Sequence, residues 1–252
     1  MKLIEIKPEE LTPYIEAAKA TGDRVIVFDG LPMFGVKKLL LPIQEVLFRY
    51  DPVTGEPEVP PDDYLARPTV IAGVRPCDAR AALLLTGELL RETPDPYVAK
   101  RSENTTLLVV PCEKPYDEHC FCGLVGDSRA AVGEVAPAMA GLHRPEKGLA
   151  KAGDNCFSCG ICFMVCPTCG CFSVSEGEDG RRVRSWNGCT LTDFTRIAPG
   201  RLLEPTPESR MAHRWRRKYE EGARLCVGCG RCERYCPAGN SMKALYEEAS
   251  HE

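Results

Sequence analysis

Two cysteine runs in this chain share one spacing. Cys156, Cys159, Cys162 and Cys166 precede Pro167, and Cys226, Cys229, Cys232 and Cys236 precede Pro237. Every cysteine of the second run lies 70 residues after its counterpart. C-x-x-C-x-x-C-x-x-x-C-P is a ligand pattern for [4Fe–4S] clusters. Three thiolates on one tight loop take three corners of a cubane, and the fourth cysteine serves the neighbouring cluster. The expected sets are therefore Cys156, Cys159, Cys162 with Cys236, and Cys226, Cys229, Cys232 with Cys166. Two such clusters imply single-electron transport between two places. Zinc favours paired C-x-x-C knuckles, without a third evenly spaced cysteine or the trailing proline. A disulfide framework conflicts with the chain length, the odd total of 15 cysteines and a start, MKLIEIKPEE, that does not read as a secretory leader.

Four more cysteines lie in the first half. GVRPC and LVVPC place Cys77 and Cys112 after apolar strand candidates that proline ends. Both then fall on loops at the carboxyl edge of a sheet, where open α/β folds hold ligands. Cys120 and Cys122, in HCFCG, follow closely enough to fold back beside Cys112. Together Cys77, Cys112, Cys120 and Cys122 could hold a third [4Fe–4S] cluster; the plainer alternative is that they pack as small hydrophobes. Cys169, Cys171 and Cys189 form an incomplete set that His213 or Asp193 could complete. The favoured reading gives them a structural role beside a cluster. Arg210, His213, Arg214, Arg216, Arg217 and Lys218 form a basic patch on a helix candidate. Such a run is ordinarily a solvated face. Here it could instead raise cluster potentials or dock an acidic partner.

The elements that position these residues divide the chain. Residues 1–130 read as α/β, with strand candidates over Lys2–Ile6, Arg24–Phe28, Thr69–Val74 and Thr106–Val110. A helix capped by Asp78 runs to Leu90, and the strand–helix–strand order implies a short parallel sheet. Residues 131–154 read as a linker. Residues 155–252 form a mostly helical two-cluster ferredoxin-like domain with helices over Ser209–Glu221 and Ser241–Ala249. The expected class is α+β.

The 252 residues are 44% hydrophobic with a formal net charge of −4, and each four-thiolate cubane adds about two more negative charges. This gives no support to nucleic-acid binding, and no apolar stretch is long enough for a membrane span. A cytoplasmic location is expected. No flavin or NAD site is expected in this chain: no G-x-G-x-x-G follows a strand, and the sequence has no P-loop, H-E-x-x-H or G-x-S-x-G. His119, His143, His213 and His251 suggest no catalytic constellation, so substrate chemistry is expected on a partner subunit.

GVRPCDARAALLL, VVPCEKP, CFCG, CFSCGICFMVCPTCGCF, RVRSWNGCTLTDFT and SRMAHRWRRKY before CVGCGRCERYCP, in this order, resemble the iron–sulfur β subunits of soluble sulfhydrogenases and the A subunit of anaerobic sulfite reductase. KKLLLPIQEVLFRY resembles the family's N-terminal segment. The resemblance implies an electron-transfer subunit of an anaerobic complex. It would relay electrons between a flavin-containing, NAD(P)H- or ferredoxin-linked subunit and a catalytic subunit of hydrogenase or sulfite-reductase type. It also implies that the eight run cysteines are cluster ligands and that Cys77, Cys112, Cys120 and Cys122 match further family cysteines. The family has a longer stretch where residues 123–155 stand here. Two other readings are a stand-alone redox sensor and an enzyme with an open-iron cluster at Cys169, Cys171 and Cys189.

Overall fold

The computed structural model describes residues 1–51, 53–59, 65–126, 146–177, 179–220 and 225–251. In chain order the strands of its two main sheets are β1 (Lys2–Glu5), β2 (Arg24–Val27), β3 (Gln44–Tyr50), β4 (Pro57–Glu58), β5 (Thr69–Val74), β6 (Thr105–Val109), β7 (Phe172–Glu176) and β8 (Arg181–Trp186). The protein is α+β. Four parallel strands in the order β1–β6–β5–β2 form the sheet of the N-terminal half.

The central strands are nearly continuous apolar runs because both of their faces are buried. Ile71, Val74, Leu107 and Val109 pack on one side against Ala79 and Ala82 of the helix Pro76–Leu90. Val70, Ala72 and Leu108 pack on the other against Ile6 and Ala18. Strict alternation would put Val74 on the face of Ala72. The β5–β6 register shifts between Ala72 and Val74, and Gly73 sits there with φ +75°, which returns Val74 to the face of Ile71. A Cβ on Gly73 would meet the Phe28 carbonyl oxygen at 2.5 Å.

Two local expectations are corrected. Asp78 does not cap the helix that follows β5. That helix starts at Pro76 with Arg75 as its N-cap, and Asp78 is buried within its first turn. For the same reason Cys77 lies in the first helical turn and not on a loop, whereas Cys112 does follow β6 on a loop.

The second sheet, β4–β3–β8–β7, is antiparallel and joins the two halves of the chain. Its buried hub is Arg184 on β8, which pairs with Glu45 of β3 and with Asp95. Asp95 also caps the helix Pro96–Glu103 by accepting from the amides of Tyr97 and Val98 at 3.0 Å. Trp186 Nε1 donates to the Leu41 carbonyl at 2.9 Å.

Helices Glu146–Asp154, Pro207–Trp215 and Met242–His251 close the C-terminal half around Leu149, Met211, Trp215, Met242 and Tyr246. The linker expected at 131–154 lies mainly outside the described residues, and its last nine residues form the first of these helices.

Candidate metal centre

Each cysteine run bends through left-handed backbone. Ser158 (φ +53°) and Gly160 (φ +81°) turn the first loop, and Gly228 (φ +63°) and Gly230 (φ +74°) turn the second. These pairs also stand 70 residues apart, so the duplication extends to the backbone. A left-handed residue is easily supplied by glycine; Ser158 is the one non-glycine among the described residues to adopt it. Each loop then enters a single helical turn, Ile161–Met164 or Arg231–Arg234.

Three cavities gather the cysteines. The first is lined by Cys156, Cys159, Cys162 and Cys236, and also by Cys232. Cys166, Cys226, Cys229 and Cys232 line the second. The third is lined by Cys77, Cys112, Cys120 and Cys122, with Cys229 on the side facing the second cavity. β5 and β6 are neighbours, which brings Cys77 and Cys112 to one edge. The Cys120–Cys122 loop is held against the second run by the Phe121 amide, which donates to the Gly228 carbonyl at 2.8 Å.

Among the described residues, no three histidine, cysteine or carboxylate side chains converge tightly enough to hold a single metal ion. A four-iron cluster asks for a different arrangement, one thiolate per iron around a volume. Cysteine-walled cavities with no carboxylate among their lining residues fit that group.

The charges around these cavities are positive. Arg214 and Lys218 are buried and both line the second cavity; Arg214 also lines the first. Burial opposes ionisation of Cys166, but Lys218 and Arg214 outweigh it and bring its thiol down to about 6. Cys226 has no such surplus and burial pushes it up to about 11. Burial likewise opposes charge on Lys218, yet the facing Cys166 and Cys169 hold its ammonium above the ordinary lysine range. At the third cavity Arg75 Nη1 lies 3.5 Å from Cys112 Sγ. Beside it, the Arg231 and Asp78 side chains form a fully buried ion pair at 2.7 Å.

Cys169, Cys171 and Cys189 lie near one another, behind Cys166. The Cys171 thiol donates to Cys169, which favours charge on Cys169 and keeps the proton on Cys171. Neither residue that could have completed the set joins them. His213 faces Glu204 at 3.5 Å, and Asp193 pairs with Arg196 on the surface. His143 lies outside the described residues.

Sequence reasoning passed over Lys37. It is 1% exposed, donates to the Phe163 carbonyl at 3.0 Å and stands 3.7 Å from the Trp186 ring centroid. Burial lowers its pKa, with Cys169 and Cys166 opposing the shift. The only signal in KKLLLP was a lysine inside an apolar run.

Residues 155–240 match the family model of a 4Fe-4S dicluster domain, and this match together with the cysteines supports an iron–sulfur protein. Sulfhydrogenase 2 subunit beta of Pyrococcus furiosus is 26% identical over 236 residues, covering 67% of this chain and 70% of that protein. The two matches together support an iron–sulfur β-subunit family. No solved structure matches the chain. No helix among the described residues is long and apolar enough to cross a membrane.

Proposed function

We propose that this chain is the electron-transfer subunit of a multi-subunit anaerobic oxidoreductase. Cys156, Cys159, Cys162 and Cys236 would hold one [4Fe–4S] cluster, and Cys226, Cys229, Cys232 and Cys166 a second. Cys77, Cys112, Cys120 and Cys122 would hold a third. When bound, these groups supply single-electron carriers.

The observation that carries this reading is how the twelve cysteines distribute over three cavities, with Cys229 and Cys232 each lining two. In each duplicated run the fourth cysteine lines the cavity of the other run, as crossed ligation requires. The protein's own part is to fix the thiolates, exclude water with Met211, Met242, Val227 and Leu225, and surround the anionic groups with cations. The cavities adjoin in a row. Cys229 is common to the third and second, and Cys232, Arg214 and Met242 to the second and first.

The row reaches the surface at both ends, at exposed Cys159 and Phe157 and at exposed Tyr116 beside Cys112. These ends suit two partners, a flavin-containing or ferredoxin-linked subunit and a catalytic subunit of hydrogenase or sulfite-reductase type. The similarity to a protein named as a β subunit supports a heteromeric setting.

Iron and acid-labile sulfide in anaerobically prepared protein test the reading. The expected content is about twelve irons, four per cubane. Cys236→Ser should alter the spectrum of the cluster held by the run at Cys156. An iron content near zero, or stoichiometric zinc in its place, overturns the proposal, and damage confined to the run at Cys226 overturns the crossed wiring.

A further inference from the structure

The basic patch on the helix Pro207–Trp215 and the turn after it is two faces, not one. His213, Arg216 and Arg217 point outward onto Glu204 and Glu88. Arg210, Arg214 and Lys218, spaced by four, point inward and are 3%, 3% and 5% exposed. Two of these inward cations reach the cluster cavities with no carboxylate beside them. Arg214 donates to the Cys162 carbonyl at 3.1 Å. Lys218 Nζ donates to Thr168 Oγ1 at 2.8 Å and to the Leu225 carbonyl at 3.2 Å. Thr168 Oγ1 in turn lies 3.3 Å from Cys166 Sγ, so one hydroxyl bridges the ammonium and a thiol.

A buried cation without a counter-charge is costly, and a site that keeps two of them is built for an anion. The second cavity is lined by both, the first by Arg214 alone. At the third, Arg75 is only half-buried, and Arg231 is cancelled by Asp78. An added electron is an added negative charge, and a fixed positive charge in a low-dielectric site favours it more strongly than an exposed one does.

Resting on the reading that the cavities hold clusters, we propose that Arg214 and Lys218 make the centre held by Cys166, Cys226, Cys229 and Cys232 the highest-potential centre of the chain. It is also the middle one of the row, so an electron entering at either end would come to rest there before leaving. Arg214 and Lys218 are potential-setting residues and make no contact with substrate in this scheme.

A redox titration of the anaerobically prepared full chain, followed by electron paramagnetic resonance, tests this. Signals are assigned with Cys156→Ser and Cys226→Ser variants. In the unaltered chain the Cys226-run centre should be reduced first. In Lys218→Met with its iron retained, the reduction equilibrium of that centre should fall at least tenfold, about 59 mV for one electron. The Cys156-run centre should move less, and Lys218→Arg should restore the original value. Another centre reduced first in the unaltered chain overturns the proposal, as does an iron-replete Lys218→Met with an unmoved midpoint. If Lys218→Met does not load iron, the order of reduction in the unaltered chain decides alone. Iron-free native protein would instead sink the cluster reading itself, so the two failures are distinguishable.

Discussion

Replacing Asp78 by asparagine should loosen the whole molecule. Asp78 and Arg231 lie 153 residues apart, their side chains are 0% exposed, and Arg231 Nη2 meets Asp78 Oδ2 at 2.7 Å. Burial works against the Arg231 charge, and Asp78 reverses that and raises the guanidinium above its ordinary value. Asparagine keeps the shape and removes the charge. Arg231 would then retain only the Pro32 carbonyl, at 2.8 Å, as a described acceptor besides the new amide. Breaking a buried pair from one side costs about 3–5 kcal/mol. The lower end applies here, because the Cys77 and Cys229 sulfurs nearby offer partial compensation. For a chain of this length about 3 kcal/mol corresponds to a fall in Tm of roughly 6–12 °C. Anaerobic thermal unfolding followed by circular dichroism would measure it. The double variant Asp78→Leu with Arg231→Met removes both charges and should recover most of the loss. A single variant within about 2 °C of the original, or a double variant less stable than the single one, would refute the reasoning.

Two further substitutions test the packing around the cavities. Trp215 is fully buried and its ring lies 5.2 Å from Tyr219 and 5.0 Å from Tyr246, so Trp215→Ala should cost about 3–5 kcal/mol in denaturant unfolding; a loss under about 1 kcal/mol would contradict that packing. Gly228→Ala places a Cβ 2.5 Å from the backbone of Cys122 at a left-handed φ, which should push the Cys120–Cys122 loop away and lower the iron content by about four atoms. Unchanged iron and an unchanged third-centre spectrum would show that this contact does not hold the loop.

The parts legible in the sequence are those set by short-range pattern. β5 and β6 fall within a residue of their β-branched runs, since a strand buried on both faces must be apolar throughout. The duplicated cysteines were legible because a cubane loop is a local ligand set. Gathering Cys77 with Cys112 needed one further condition, adjacent strands, which the sheet meets.

What escaped depends on distant partners. Asp78 looks like a cap by its place in the first helical turn, but its partner stands far along the chain on the second cysteine loop. β7 alternates Phe172 and Val174 with serine over only five residues, all exposed, and the buried residue at the centre of β8 is Arg184, so neither strand shows the apolar core face that would mark it. The basic helix misled in the same way. A spacing of four among Arg210, Arg214 and Lys218 marks one helical face, yet charge suggests water until an anion is placed beside it.

The shared antiparallel sheet limits how this protein could have been assembled from older parts. Glu45 and Arg184 meet across 139 positions, and β8 takes its hydrogen bonds from β3 along one side. A fragment cut out from residue 155 onward would carry β7 and β8 as a lone ribbon with the β8 edge newly bared in addition to that of β7, which invites pairing between copies. Transplanting the cysteine-rich portion into another protein would therefore require a host that brings its own strand in the position of β3.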